Sequence, residues 1–385
     1  RVHAAMTRHV ESGAVPGLVM LLSRHDETYV DTIGVKAAGS SEPMQRDTIF
    51  RISSMTKPIA SAATMILVEE CRLRLDEPVD NWLPELADRK VLKRIDGPLA
   101  EVVPAKRPIS VRDLLTLRMG FGFITLPGDH PIQAAASALG IMPGPPNPQK
   151  PPAPDEWMRR FGTLPLMHQP GEKWMYPTGF SVLGVLLARA SGQPLETFLR
   201  ERIFEPLGMK DTGFSVSADK LDRLARSYVM NPDTGALEPY DGVSDSAWSR
   251  PPAFPDAEGG LVSTVDDYLA FGQMMLNNGI LGETRILSRH SVEVMTTNQI
   301  TPEQKAGSEF LLEDNRGWGF GLSMFTKRDD IAASPGRFGW DGGLGTSWYS
   351  DFEEDMVAIL MTQVLGFPSR VDLDFWTSVY GAIDD

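Results

Sequence analysis

The 385-residue chain contains one cysteine, Cys71. A single thiol excludes an internal disulfide framework, a thiolate zinc site and an iron–sulfur cluster. Cys71 follows an apolar helical stripe and reads as a reduced, half-buried structural thiol. Long apolar runs are also missing, since none approaches the roughly 20 residues of a membrane span. No signal peptide is recognisable, which makes a cytoplasmic location the default expectation. Positive charge is in deficit: 37 Lys and Arg against 51 Asp and Glu leave a net charge of −14. A field of that sign repels phosphate backbones and anionic lipid, so neither nucleic acid nor a membrane surface is an expected partner. The basic cluster Met158-Arg159-Arg160 is too short to reverse it.

Several catalytic signatures are absent as well. There is no G-x-S-x-G nucleophile elbow, no Walker phosphate loop and no H-E-x-x-H. The histidines (His3, His9, His25, His130, His168 and His290) never pair at ligand spacing, so no metal site is expected. The string Gly317-Trp318-Gly319-Phe320-Gly321 lacks the helix and later acidic residue of a dinucleotide fingerprint and reads as strand.

What remains is an ordinary globular composition, 42% hydrophobic and 23% charged. The length suits two or three domains, or one large domain with an insertion. An amphipathic helix is expected over 2–12, with Val2, Ala5, Met6 and Val10 on one face. A hairpin follows, Leu18 to Ser23 and Thr28 to Val35, turning at Arg24-His25-Asp26-Glu27. A strong helix runs from Ser54 to Cys71, with Pro58 tolerated near its start. Between about 76 and 254, leucine-rich helices (Val111 to Leu117, Phe180 to Ala190, Leu195 to Phe204) alternate with loops. One loop, Pro143 to Pro154, holds seven prolines in twelve residues. It must be extended or irregular; a surface linker is the plain expectation, a wall or lid over a site the sharper one. Beyond Gly259-Gly260 come a helix (Ser263 to Asn277), strand-like runs (Trp318 to Phe325, Gly336 to Trp340, Thr346 to Tyr349, Met356 to Thr362) and a closing helix (Val371 to Ile383). The pattern implies an α+β fold: an antiparallel sheet flanked by helices, built from residues 1–75 and 255–385, with a mostly helical domain inserted at 76–254.

The first positive chemical signal is Ser54-Met55-Thr56-Lys57 at a helix start. Three residues apart on a helix puts serine and lysine on one face. Ser54 falls where backbone N–H groups are unpaired, which suits a developing oxyanion. Lys57 can strip the hydroxyl proton if its surroundings hold it neutral. The pattern alone is weak, because 27 serines and 11 lysines predict roughly one such pair by chance. A second, Ser217-Ala218-Asp219-Lys220, lies in a polar stretch with an acid beside its lysine and reads as surface.

Ser54-x-x-Lys57-Pro58 resembles the nucleophile motif of the serine β-lactamase and penicillin-binding-protein superfamily, and the wider match is to its class C β-lactamase-like and family VIII carboxylesterase branch. Ile109 to Thr116, Pro170-Gly171-Glu172 through Gly184, Pro206-Leu207-Gly208-Met209 and Glu258 to Thr264 carry it along nearly the whole chain. In place of the family's Tyr-x-Asn stands Tyr176-Pro177-Thr178. The resemblance implies Tyr176 as general base or proton shuttle beside Lys57, and Thr178 in the position of the asparagine. The hydroxyl replaces an amide that both donates and accepts, which disfavours an amide-bearing β-lactam. In place of the family's Lys-Thr-Gly stands Trp340-Asp341-Gly342-Gly343, similar to the W-x-G variant of the esterases. Tryptophan offers an apolar wall where lysine would pair a substrate carboxylate. Gly342 would allow close backbone approach, and the Gly343 amide would complete an oxyanion hole with that of Ser54. Asp341 would repel anionic substrates if it faced the cleft. Arg118 is expected in a salt bridge, with a place lining the site as the alternative, and Trp348 and Tyr349 are expected as packing residues, with the acyl pocket as theirs.

The resemblance implies a serine carboxylesterase acting on small, short-chain esters through an acyl-enzyme. Its catalytic residues would be Ser54, Lys57 and Tyr176, and Trp340, Gly342 and Thr178 would contact substrate. Neither metal nor organic cofactor is called for, and a homodimer is an assembly to consider. The alternatives are a β-lactamase or D-Ala-D-Ala peptidase, an amidase or acyltransferase of the same fold, and a binding protein that has lost the chemistry.

Overall fold

The strand Met356–Met361 is apolar at every position and buried at every position, the mark of a strand covered on both faces. In the computed structural model, which describes residues 1–25 and 27–383, it sits inside a seven-stranded antiparallel sheet. Asp26, in the expected hairpin turn, and Asp384 and Asp385, at the chain end, lie outside the described residues. The strands are β1 (Gly17–Arg24), β2 (Glu27–Gly34), β3 (Arg316–Trp318), β4 (Ser323–Phe325), β5 (Phe338–Gly342), β6 (Thr346–Asp351) and β7 (Met356–Met361). Their order is β3-β4-β5-β6-β7-β1-β2, so the first hairpin completes a sheet laid down by the last hundred residues. Val19 pairs with Met361 and Trp340 with Trp348.

Period-two alternation divides the sheet's side chains between two cores. Val19, Leu21, Val357, Ile359 and Met361 join the larger cluster, with Ile59, Ile66, Phe271 and Met275 from helices α2 (Thr56–Glu69) and α4 (Val265–Leu276). Leu18, Met20, Ala358 and Leu360 face the other way, onto Met6 of α1 (Val2–Glu11) and Phe375 and Trp376 of α5 (Val371–Tyr380). The region expected as an inserted helical domain contributes α3 (Gly179–Ser191) and shorter helices, among them Val111–Leu115, Pro131–Ala138 and Pro154–Gly162. Phe180, Leu183 and Leu187 of α3 belong to the same apolar cluster as α2, so the helical layer and the sheet share one core. No helix among the described residues is long and apolar enough to cross a membrane.

Four expectations change. The run Trp318 to Phe325 is two strands with a turn at Gly321, whose φ is +72°. The helix expected from Leu195 to Phe204 is regular only to Leu199 and widens to a π turn over Arg200–Phe204. Cys71 is exposed: α2 ends at Glu69, and Cys71 reverses the chain with φ +58° instead of extending the apolar stripe. Arg118 forms no salt bridge among the described residues; its Nε donates to Thr116 Oγ1 at 2.9 Å.

The end of β5 lies hard against the chain entering α2. A Cβ on Gly342 would collide with Thr346 Oγ1 and the backbone carbonyl of Ile52, two residues before Ser54. Thr346 Oγ1 also donates to that carbonyl, at 3.2 Å. Gly342 is therefore buried and used for backbone-to-backbone contact inside the protein. Gly342→Ala is expected to destabilise the fold by ~1–3 kcal/mol through overpacking, measured as a lower urea midpoint, and to reduce any activity that depends on Ser54.

Candidate active site

Three chain segments build the site. The first is Phe50–Arg51, a two-residue strand paired with Val262–Ser263. Arg51 is buried, and its Nε donates to Asp241 at 2.8 Å while its Nη1 donates to the Ala225 carbonyl at 2.6 Å. Burial of this guanidinium lowers its pKa from the ordinary value, and Asp241 opposes the shift. The chain then turns sharply: Ser53 has φ +45° and begins a short 3-10 turn, Ser53–Met55, that feeds α2. The expected helix start at Ser54 is thus a strained turn, with the regular helix beginning at Thr56.

The second segment, Glu258 to Ser263, is sewn to the first. Ile52 N donates to the Leu261 carbonyl at 3.0 Å, and Leu261 N donates to Thr56 Oγ1 at 3.2 Å. This places the Glu258 carbonyl 2.6 Å from Lys57 Nζ. The third segment precedes α3. Met175 N donates to the Leu117 carbonyl at 2.8 Å and Phe123 N to the Tyr176 carbonyl at 2.6 Å, which fixes the Tyr176 backbone from both sides. The Tyr176–Pro177 peptide is cis.

These segments converge on one hydroxyl. Lys57 Nζ donates to Ser54 Oγ at 2.8 Å, and the Tyr176 hydroxyl lies 2.5 Å from the same oxygen. Lys57 is fully buried, with Nζ 4.5 Å from the centre of the Tyr176 ring, and it makes no ion pair among the described residues. Ser54 and Tyr176 are half-buried. Trp340 packs beside Tyr176 with ring centres 5.8 Å apart, and its Nε1 donates to the Tyr176 hydroxyl at 3.1 Å. The expected apolar wall is therefore also a hydrogen-bond donor. Trp318 meets Trp340 edge-on at 4.7 Å and holds it in place.

The remaining predicted residues fall around this centre. Gly343 is exposed just past β5, with open space around its Cα, and its carbonyl accepts from Gly366 N at 3.1 Å. Thr178 is 1% exposed, and its hydroxyl has no partner among the described residues. Asp341 points to the opposite face of the sheet from Trp340, as strand alternation requires. There it accepts from Ser347 Oγ at 2.6 Å and Tyr349 OH at 3.0 Å, so it does not face the cleft. Trp348 and Tyr349 are buried packing residues. Lys220 pairs with Asp211 at 2.8 Å and Ser217 is exposed, so the second serine–lysine pair is surface, as expected.

Sequence reasoning missed the acid pair and gave the proline wall only as the sharper of two readings. Asp256 and Glu258 both border a cavity of about 510 Å³ next to the centre, where burial and their mutual repulsion hold the Glu258 carboxyl up at about 7. The same cavity is walled by Pro143, Pro145, Pro146 and Pro148, so the proline-rich loop is a wall and not a plain linker. On the other side Tyr176 borders a smaller cavity of about 220 Å³, lined by Phe123, Ile124, Leu126, Trp174 and Phe310.

A serine hydroxyl within hydrogen-bond reach of a buried amine and a phenol thus stands at the head of a helix packed on an antiparallel sheet. The β-lactamase family model matches residues 2–379, and the chain belongs to that family. It is 38% identical over 370 residues to protein Rv1367c of Mycobacterium tuberculosis, covering 94% of this chain and 88% of that one. It is 30% identical over 385 residues to esterase EstB of Burkholderia gladioli, covering 94% and 89%. Among solved structures, EstCE1, described as a hydrolase with promiscuous acyltransferase activity, superposes with a TM-score of 0.81 at 24% identity, over 99% of this chain and 97% of its own.

The bond from Trp340 to Tyr176 is testable alone. Trp340→Phe keeps an aromatic wall and removes the donor. It is expected to cost ~0.5–1.5 kcal/mol of stability, read as a lower urea midpoint beside the wild-type protein.

Proposed function

We propose that the protein is a serine carboxylesterase that hydrolyses short-chain esters through an acyl-enzyme on Ser54. The observation that carries this reading is the pair of contacts on Ser54 Oγ, 2.8 Å to Lys57 Nζ and 2.5 Å to the Tyr176 hydroxyl. As Ser54 Oγ forms its bond to the ester carbonyl carbon, its proton passes to the Lys57–Tyr176 pair. The tetrahedral oxyanion takes hydrogen bonds from the amides of Ser54 and Gly343. The carbon–oxygen bond to the alcohol then breaks, and the pair returns the proton to the departing oxygen. In the second half, water gives its proton to the same pair, adds to the acyl carbon and releases the acid, restoring the Ser54 hydroxyl.

Esterase EstB, at 30% identity over most of both chains, supports ester chemistry over β-lactam chemistry. So does Trp340, which supplies no cation for a substrate carboxylate. The cavity of about 220 Å³ beside Tyr176, whose lining is aromatic and aliphatic apart from Thr125, His168, Lys173 and Ser308, suits a short acyl chain.

The test is a panel of p-nitrophenyl esters beside nitrocefin. Acetate and butyrate esters are expected to turn over with kcat/KM well above that for nitrocefin; comparable values would favour a β-lactamase. Ser54→Ala should abolish ester hydrolysis with its melting temperature nearly unchanged. Tyr176→Phe should lower the acylation rate by roughly 10²–10⁴, and a rate within threefold of wild type would remove Tyr176 from the mechanism.

A further inference from the structure

The smaller cavity joins Tyr176 to a fixed positive charge. Lys173 and His168 border it, and no aspartate or glutamate does. Lys173 precedes Tyr176 by three residues, so the two backbone positions stand no more than about 11 Å apart. The other polar side chains of the wall are already used: Thr125 Oγ1 donates to the Gly307 carbonyl at 3.1 Å and Ser308 Oγ to the Trp174 carbonyl at 3.3 Å. Lys173 is different. Its Nζ donates to the carbonyls of Glu303 at 3.0 Å and Ala306 at 3.4 Å, and it forms no ion pair among the described residues. An ammonium carries three N–H donors, so one is left over, on a half-buried side chain whose charge nothing neutralises. The segment supplying those carbonyls is tied to the same stretch, since Trp174 N donates to the Gln304 carbonyl at 2.8 Å and Gln304 Nε2 to the Gly171 carbonyl at 2.8 Å. The amine is thus held in position before any ligand arrives, which lowers the cost of binding one.

His168 is half-buried, and neither ring nitrogen has a hydrogen-bond partner among the described residues. Burial lowers its pKa from the ordinary value, Glu172 opposes that shift and Lys173 adds to it. The ring is therefore neutral at pH 7.5 and offers one N–H. The nearby acids Glu172 and Glu309 accept from the backbone amides of Gln169 and Gly307, each at 3.0 Å. A neighbouring hollow, which His168 and Ile95 also border, adds Lys93, Lys106 and the Asp96-paired Arg94 against one acid, Glu172. On a chain of net charge −14 this region carries the opposite sign, which favours an anion locally. One fixed charge beside one neutral donor matches a carboxylate better than a phosphate dianion.

We infer that the small cavity receives an acyl chain ending in a carboxylate, with Lys173 Nζ as its ion partner and the His168 ring as a second donor. Joined to the esterase reading, on which the placement of the acyl chain rests, this makes the preferred substrates half-esters of short dicarboxylic acids. Ser54 attacks the esterified end, and hydrolysis releases the alcohol and the dicarboxylic acid. Trp340 supplies no cation at the centre itself, so the charge that is recognised lies at the far end of the chain.

The binding test uses the Ser54→Ala protein and needs no turnover. Monomethyl adipate, an anion at pH 7.5, and dimethyl adipate, its neutral analogue, are titrated calorimetrically. The anion is expected to bind about fivefold tighter or more. Equal affinity, or tighter binding of the diester, overturns the inference with no change made at Lys173. Lys173→Met should bring the ratio of affinities to within about twofold of unity, and Lys173→Arg, which keeps the charge, should retain a preference for the anion. A purely structural tie to residues 303–306 predicts instead that Lys173→Met lowers both affinities with their ratio unchanged, which overturns the inference. With wild-type protein, kcat/KM for monomethyl adipate, followed by methanol release, should exceed that for dimethyl adipate. Absent turnover of every ester, with the anion still bound more tightly, would refute the esterase reading and leave the carboxylate site standing. Hydrolysis of both esters without preference for the anion would do the reverse.

Discussion

The site depends on two hydrogen-bonding groups meeting one oxygen from different parts of the chain. Lys57 reaches Ser54 Oγ within a helical turn, at 2.8 Å, and Tyr176 reaches it across 122 residues, at 2.5 Å. The local contact follows directly from helix geometry. The distant one exists only because the layer carrying α3 packs onto α2 through a shared apolar core. Much of the fold can be understood as holding that meeting point: the sheet presents Trp340 to the phenol, the Arg51–Asp241 pair anchors the strand before Ser54, and Leu261 ties Glu258 alongside Lys57. A buried ion pair stabilises little on balance, but losing one partner strands a buried charge, so Arg51 and Asp241 have to stay together.

The surroundings of the centre are asymmetric. Tyr176 borders a smaller cavity rich in aromatic side chains that also holds His168 and Lys173, whereas Thr178 and Glu258 border a larger one with two carboxyl groups and a proline wall. An ester spanning the centre would place chemically different ends in the two spaces. Asp341, the acid nearest Trp340 in sequence, takes no part in this asymmetry, because strand alternation turns it to Ser347 and Tyr349 on the far face.

Most of the fold was legible in the sequence wherever periodicity was strong. The first hairpin, α2, α3, α4 and the pair Thr346–Asp351 and Met356–Met361 fall close to where their patterns put them. Failures came where a local pattern was ambiguous: glycines between Trp318 and Phe325 concealed a turn, and Cys71 continued an apolar stripe that the chain had already left. That Ser54 and Lys57 meet was legible in helical spacing, and that Tyr176 joins them was legible only through the family resemblance. Gly342 was singled out for close approach, but the backbone it admits is that of Ile52. The acid pair left no signal in spacing, and the proline wall was one of two readings of the loop's proline density, because Pro146 and Glu258 come to border one cavity only in three dimensions.

The central claim is that the Ser54 hydroxyl, and no other, is made nucleophilic by Lys57 and Tyr176. Its most direct test is intact-mass spectrometry of the protein after brief exposure to a fluorophosphonate, followed by peptide mapping. One adduct per chain on the peptide containing Ser54, slowed in both Lys57→Ala and Tyr176→Phe, is the predicted result. Labelling at another serine, or labelling of Ser54 at an unchanged rate in both variants, would contradict it.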